Sequence, residues 1–182
     1  MSSTSWNERR IAGSLLLLGF GLLLVTALLY QPSLDDPAMG LWKRDALAGG
    51  LIVTMLGLAT LELALSGAGQ QVLGRLGAVA YLLGAVPWLV AESMGTYTSD
   101  VERNYVVLAC LSVAAIGWAT LRARLLPVVA GWTTIAWAVT WAVLYLGRVG
   151  VFQAPLGPNL AILVIALFLL FPRATLGAGR GV

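Results

Sequence analysis

Residues 46–66 read ALAGGLIVTMLGLATLELALS and residues 76–96 read LGAVAYLLGAVPWLVAESMGT; between them, residues 67–75 read GAGQQVLGR. Two apolar runs of 21 residues thus stand either side of a nine-residue connection, and the whole stretch carries three charges, Glu62, Arg75 and Glu92. About 20 residues of α-helix cross a hydrocarbon core ~30 Å thick. Leu and Ala dominate and apolar residues do not alternate with polar ones, so the runs predict membrane helices and not strands of a membrane barrel.

The same pattern extends in both directions. Apolar runs also occupy Ile11–Tyr30, Tyr105–Leu121, Pro127–Gly147 and Ala154–Phe171, of which Tyr105–Leu121 and Ala154–Phe171 are the shortest. Over all 182 residues 59% are hydrophobic and 10% charged, against about 25% charged in soluble domains. A soluble core could not hide that much apolar surface. The expected fold is an all-α integral membrane protein, a bundle of six transmembrane helices forming a single domain over residues 1–182, with the lipid bilayer as its main partner. The first run follows Arg9-Arg10, as a signal peptide would. Its apolar stretch exceeds the usual 7–15 residues and no small-residue cleavage site follows, which predicts a retained helix.

Six spans would place both termini on one side. That side would carry Arg9, Arg10, Arg75, Arg122, Arg124, Arg173 and Arg180; the other would carry Lys43, Arg44, Arg103 and Arg148. The excess of basic residues predicts cytoplasmic termini. The longest outer connection, Gln31 to Arg44, contains Pro32, Pro37 and Gly40 as breakers, and Trp42 near its end is a candidate interface anchor. The general look, a small six-span chain opening on an arginine pair and a Gly/Leu-rich helix, resembles small bacterial membrane proteins, so the expected location is a cell membrane, the bacterial inner membrane.

Several function classes are excluded. The net charge is +3, but the basic residues stand singly or in pairs at the ends of apolar runs, with no stripe to follow a phosphate backbone; no nucleic-acid partner is expected. No His is present, which removes His-bound haem, His-based zinc sites and His proton relays. Lys43 is the only Lys and lies outside the apolar runs, which argues against an intramembrane Schiff base. Cys110 is the only Cys, so there is neither an internal disulfide nor a redox pair. No metal site and no cofactor are expected.

Glu62 and Glu92 are the two carboxylates inside the apolar runs, and a charge at membrane depth needs a reason. They are not expected to meet. Glu62 lies 16 residues from the outer end of its run and Glu92 lies 16 residues from the inner end of the next; at 1.5 Å per residue their depths differ by roughly 18 Å. Each has a hairpin neighbour at its own depth. Arg75 follows the inner turn by about as much as Glu62 precedes it, so a structural Glu62–Arg75 ion pair is expected. Arg103 and Asn104 stand in the same relation to Glu92.

Trp137, Trp141, Tyr145 and Arg148 follow one another at spacings of four, four and three, which is one helix face, flanked by Thr133 and Thr140. Trp88 and Glu92 share a face one turn apart, just after Pro87, which frees the carbonyl of Leu83 and predicts a kink. Together Trp88, Glu92, Trp137, Trp141, Tyr145 and Arg148 are the candidate ligand-binding residues, an aromatic cup in the outer half of the bundle. A carboxylate beside aromatic faces suits a lipophilic cation. Packing of the same rings against lipid or core is the plainer alternative. The glycines Gly13, Gly19, Gly21, Gly49, Gly50 and Gly57 predict close helix approach.

Three functions fit these features. One is a transporter or binding protein for a small lipophilic or cationic molecule. Another is an accessory or structural subunit without chemistry, its glutamates ion-paired and its tryptophan face meeting a partner membrane subunit or a second copy in a homo-oligomer. The third is an intramembrane enzyme acting on a lipid or isoprenoid, which would want a second carboxylate at the depth of Glu92; Asp100 and Glu102 fall in the outer turn and the spans offer none.

Overall fold

Asp36 and Pro37 decide where the second helix begins. The Asp36 side chain accepts a hydrogen bond of 2.9 Å from the Ala38 N–H, and Pro37 is the first helical residue. An Asp cap satisfies a donor the helix leaves free, and proline at the first position lacks only an N–H that would have had no partner. In the computed structural model, which describes residues 3–30, 36–149 and 155–171, six helices follow in order: α1 (Ser3–Leu29), α2 (Pro37–Ser66), α3 (Gln71–Met94), α4 (Ser99–Arg122), α5 (Val128–Leu146) and α6 (Asn159–Leu170). All regular structure among the described residues is helical.

Two helices start earlier than their apolar runs. α2 gains nine residues before Ala46, so Trp42, Lys43 and Arg44 belong to a helix and not to a loop. α4 starts at Ser99 and not at Tyr105, because the Thr98 hydroxyl accepts from the Val101 N–H at 3.4 Å. Asp100 and Glu102 then sit in its first turn and Arg122 in its last, each on the side the helix dipole favours. At the other end of α3, Gly95 takes a left-handed conformation, φ 66°, which a residue without Cβ adopts freely. α3 runs unbroken through Pro87.

The helices close into a ring in chain order, with α1 against α2, α2 against α3, and so on to α6, which packs back on α1. Short connections make neighbours antiparallel. The tightest crossing is α1 on α2: a Cβ on Gly19 would come within 2.8 Å of the Thr54 backbone nitrogen. Gly13, Gly50 and Gly57 also face close neighbours, whereas a Cβ on Gly21 would meet nothing. Outside the ring, Leu18, Leu24, Leu28, Leu63, Leu83, Val139 and Val143 are exposed. A belt of that size is an aggregation site in water and a lipid contact in a bilayer.

Five helices, α1 to α5, are long and apolar enough to cross a membrane, as in a multi-pass membrane protein. The last apolar run differs from expectation. Residues 155–158 form a turn carrying Pro155 and Pro158, and α6 has 12 residues, about 18 Å of helix. Residues 31–35 of the connection between α1 and α2, Ala154, and the C-terminal segment with Arg173 and Arg180 lie outside the described residues.

Candidate functional site

One end of the bundle collects the termini of α1 and α3 with the starts of α2, α4 and α6. A cavity of about 650 Å³ opens there, lined by Thr26 and Tyr30 of the α1 end, Lys43 and Leu47 of α2, Trp88 and Glu92 of α3, Tyr97, Glu102 of α4, and Pro155 with Leu156. That volume is in the range of small-molecule sites.

Each charged group in it has a partner. Glu92 Oε1 lies 3.1 Å from Lys43 Nζ, and both side chains keep about a fifth of their surface exposed, 20% and 22%. Lys43 Nζ also stands 5.7 Å from the centre of the Tyr30 ring, within reach of a cation–π attraction. The expected partners of Glu92, Arg103 and Asn104, are replaced by Lys43, because α2 starts early enough to carry that residue beside α3. Glu102 is held by two phenols: the Tyr145 hydroxyl donates to Oε1 at 2.9 Å and the Tyr97 hydroxyl donates to Oε2. Burial and this bond push the Tyr97 phenol well above its usual range, so it remains a donor.

The six residues of the predicted cup separate into two sets and a lone Arg148. Trp88 and Glu92 line the cavity. Trp137, Trp141 and Tyr145 stand behind its wall. The rings of Trp137 and Trp141 are 5.3 Å apart, and Trp137 Nε1 donates to the Gly157 carbonyl at 3.0 Å. A Cβ on Gly157 would overlap the Trp141 indole, so the turn before α6 lies flat against that ring. Tyr145 reaches the cavity through Glu102. Arg148 is not among the cavity residues; its backbone has φ 56° and its N–H donates to the Tyr145 carbonyl.

Glu62 stands at the opposite end of α2. Arg75 Nη2 lies 3.5 Å from Glu62 Oε1, and the Ser66 hydroxyl donates to the same oxygen at 3.2 Å. The Arg75 side chain is 63% exposed, so water screens the pair and its contribution is at most about 1 kcal/mol. Glu62 and Glu92 keep separate partners.

Beneath the cavity is a polar cluster that sequence reasoning did not find. The Tyr81 hydroxyl donates to Asn159 Oδ1 at 2.9 Å; Asn159 Nδ2 donates to the Tyr105 hydroxyl at 2.8 Å and to the Leu156 carbonyl at 3.2 Å. All three side chains are buried, and Tyr105 packs against Trp88 with ring centres 4.3 Å apart and planes tilted by 49°. The cluster ties α3 and α4 to the start of α6 and sets the floor under Trp88. Among the described residues, no group of His, Cys, Asp and Glu has the arrangement of a metal site. The chain matches no protein-family model, no curated protein and no solved structure, so its function has to be argued from its own geometry.

Proposed function

We propose that this chain is a six-span protein of a cell membrane, bacterial by its general pattern, with both termini cytoplasmic, and that it binds or carries a small lipophilic or cationic molecule in the cavity around Glu92. The α6 segment, lengthened by the turn at 155–158, would serve as the sixth crossing, and the outer end would be the one with the cavity. The observation that carries the proposal is Glu92 itself: a carboxylate that still has exposed surface in an aromatic-walled cavity of about 650 Å³. A structural ion pair alone would not need that space.

The accessory-subunit reading is favoured by one observation, that both intramembrane glutamates are paired. Against it, Trp141 and Tyr145 are 7% and 8% exposed and turn inward, where no partner subunit could meet them. The enzyme reading gains Glu102 as a second carboxylate in the cavity, but Glu102 is engaged by two phenols and Glu92 by Lys43, and the two carboxylates share no partner. A thermal-shift screen of the detergent-purified protein against lipophilic cations, quinones and isoprenoids tests the proposal. A compound that raises the melting temperature of wild type and not of Glu92→Gln supports it. Equal shifts in both proteins, or no shift with any compound, would move the weight to the accessory reading.

A further inference from the structure

The environment of Lys43 specifies a ligand class. Its ammonium stands between a carboxylate oxygen, Glu92 Oε1 at 3.1 Å, and an aromatic face, the Tyr30 ring at 5.7 Å. A carboxylate and an aromatic face together are what recognition of an organic ammonium requires: charge pairing on one side and the ring quadrupole on the other. Trp88 and Tyr97 add further aromatic wall, and Glu102 adds a second negative charge, so the cavity carries two carboxylates against one ammonium. The seat is therefore built for a cation and already holds one on a tether.

Lys43 is also well placed to leave. It lies in the second turn of α2, close to the end of the helix, on a side chain with four rotatable bonds, and it keeps 22% of its surface exposed. Its pair with Glu92 is partly open to solvent, so breaking it costs far less than breaking a buried pair. A structural pair meant to hold α2 against α3 would be better placed away from an open cavity.

We propose that the ligand is a lipophilic ammonium compound, a protonated or quaternary amine with an apolar body, and that it takes the seat on Glu92 and Tyr30 by displacing the Lys43 ammonium. Lys43 is then a built-in competitor. It keeps the carboxylate paired while the site is without ligand and weakens the ligand's apparent affinity by the strength of its own pairing. This inference rests on the proposed binding function.

The test uses benzyltrimethylammonium and its neutral isostere neopentylbenzene, titrated into the full chain in detergent, with wild type, Lys43→Met, Glu92→Gln and the double variant. Lys43→Met keeps the apolar stem and removes the charge. The expected result is roughly tenfold tighter binding of the cation to Lys43→Met than to wild type, a difference of about 1.4 kcal/mol, once the competing ammonium is gone. Loss of that binding on adding Glu92→Gln, and no preference of any variant for the neutral isostere, complete the expectation. Unchanged or weaker cation binding by Lys43→Met, with wild-type binding still dependent on Glu92, would overturn the tethered-competitor inference and leave the binding function standing. Equal binding of the cation and its isostere would overturn the ammonium assignment. Absence of binding by every variant would overturn both.

Discussion

Replacing Asn159 by Leu removes the amide and keeps the branched heavy-atom outline while adding volume, so its cost compared between two backgrounds isolates the hydrogen bonds of the buried cluster. Three are lost: the one accepted from Tyr81 at 2.9 Å, the one donated to Tyr105 at 2.8 Å, and the one donated to the Leu156 carbonyl at 3.2 Å. Interhelical bonds inside membrane bundles average about 0.6 kcal/mol and reach about 1.7. The two phenols can still bond each other, since their oxygens already stand 3.3 Å apart. One of them is then left with an unmet need in a dry core, which costs about 1–3 kcal/mol. The expected loss is about 2–3 kcal/mol. In a Tyr81→Phe/Tyr105→Phe background the interhelical partners are already gone, and the same replacement should cost under about 1 kcal/mol. The assay is unfolding by sodium dodecyl sulfate in mixed micelles, followed by far-ultraviolet circular dichroism. A loss below about 0.5 kcal/mol in the wild-type background, or equal losses in both backgrounds, would refute the cluster's role in tying α6 to α3 and α4.

Three further outcomes follow. Gly157→Val should cost about 1–3 kcal/mol in the same unfolding assay and change tryptophan fluorescence, because the new side chain overlaps the Trp141 ring; Gly21→Val, where a Cβ meets nothing, should change neither. In a double-mutant cycle, Glu62→Gln and Arg75→Gln should couple by less than about 1 kcal/mol, and a larger coupling would show that the pair is drier than its 63% exposed Arg75 implies. Tyr97 is held protonated by burial and by its bond to Glu102, which raises its folded pKa. Its stabilisation is therefore complete below the ordinary phenol range near pH 10 and is lost as pH rises towards the raised value. The melting temperature of wild type should fall more steeply above pH 10 than that of Tyr97→Phe, and parallel profiles would contradict this.

The apolar runs of residues 46–96 were enough to read membrane helices, because length and composition decide whether a segment can live in hydrocarbon. Their ends were harder. Asp36-Pro37 is both a turn signal and a helix cap with proline at the first position; read as a breaker, it put Lys43 in a loop and hid the partner of Glu92. Thr98 hid Glu102 in the same way. The spacing of Trp137, Trp141 and Tyr145 told which residues share a face, and periodicity alone does not tell what the face meets. Here it meets the turn at Gly157 and the carboxylate of Glu102, with Trp88 and Glu92 on the far side of that wall. Asn159 directly follows Pro158 inside the apolar run Ala154–Phe171, where a Pro-Asn pair usually marks a turn. Only the approach of α3 and α4 to that point turns it into the centre of a buried cluster.

The most direct check on a binding site around Glu92 is to obstruct the cavity without touching its charges. Ala27 lines the same cavity beside Tyr30, and Ala27→Trp would put an indole into part of its volume while keeping Lys43, Glu92 and Glu102. The measurement is equilibrium binding of the strongest stabilising compound to wild type and to Ala27→Trp, each shown by circular dichroism to be folded. Binding that falls at least tenfold in the variant is the predicted result; equal affinity in the two proteins would contradict a site in this cavity.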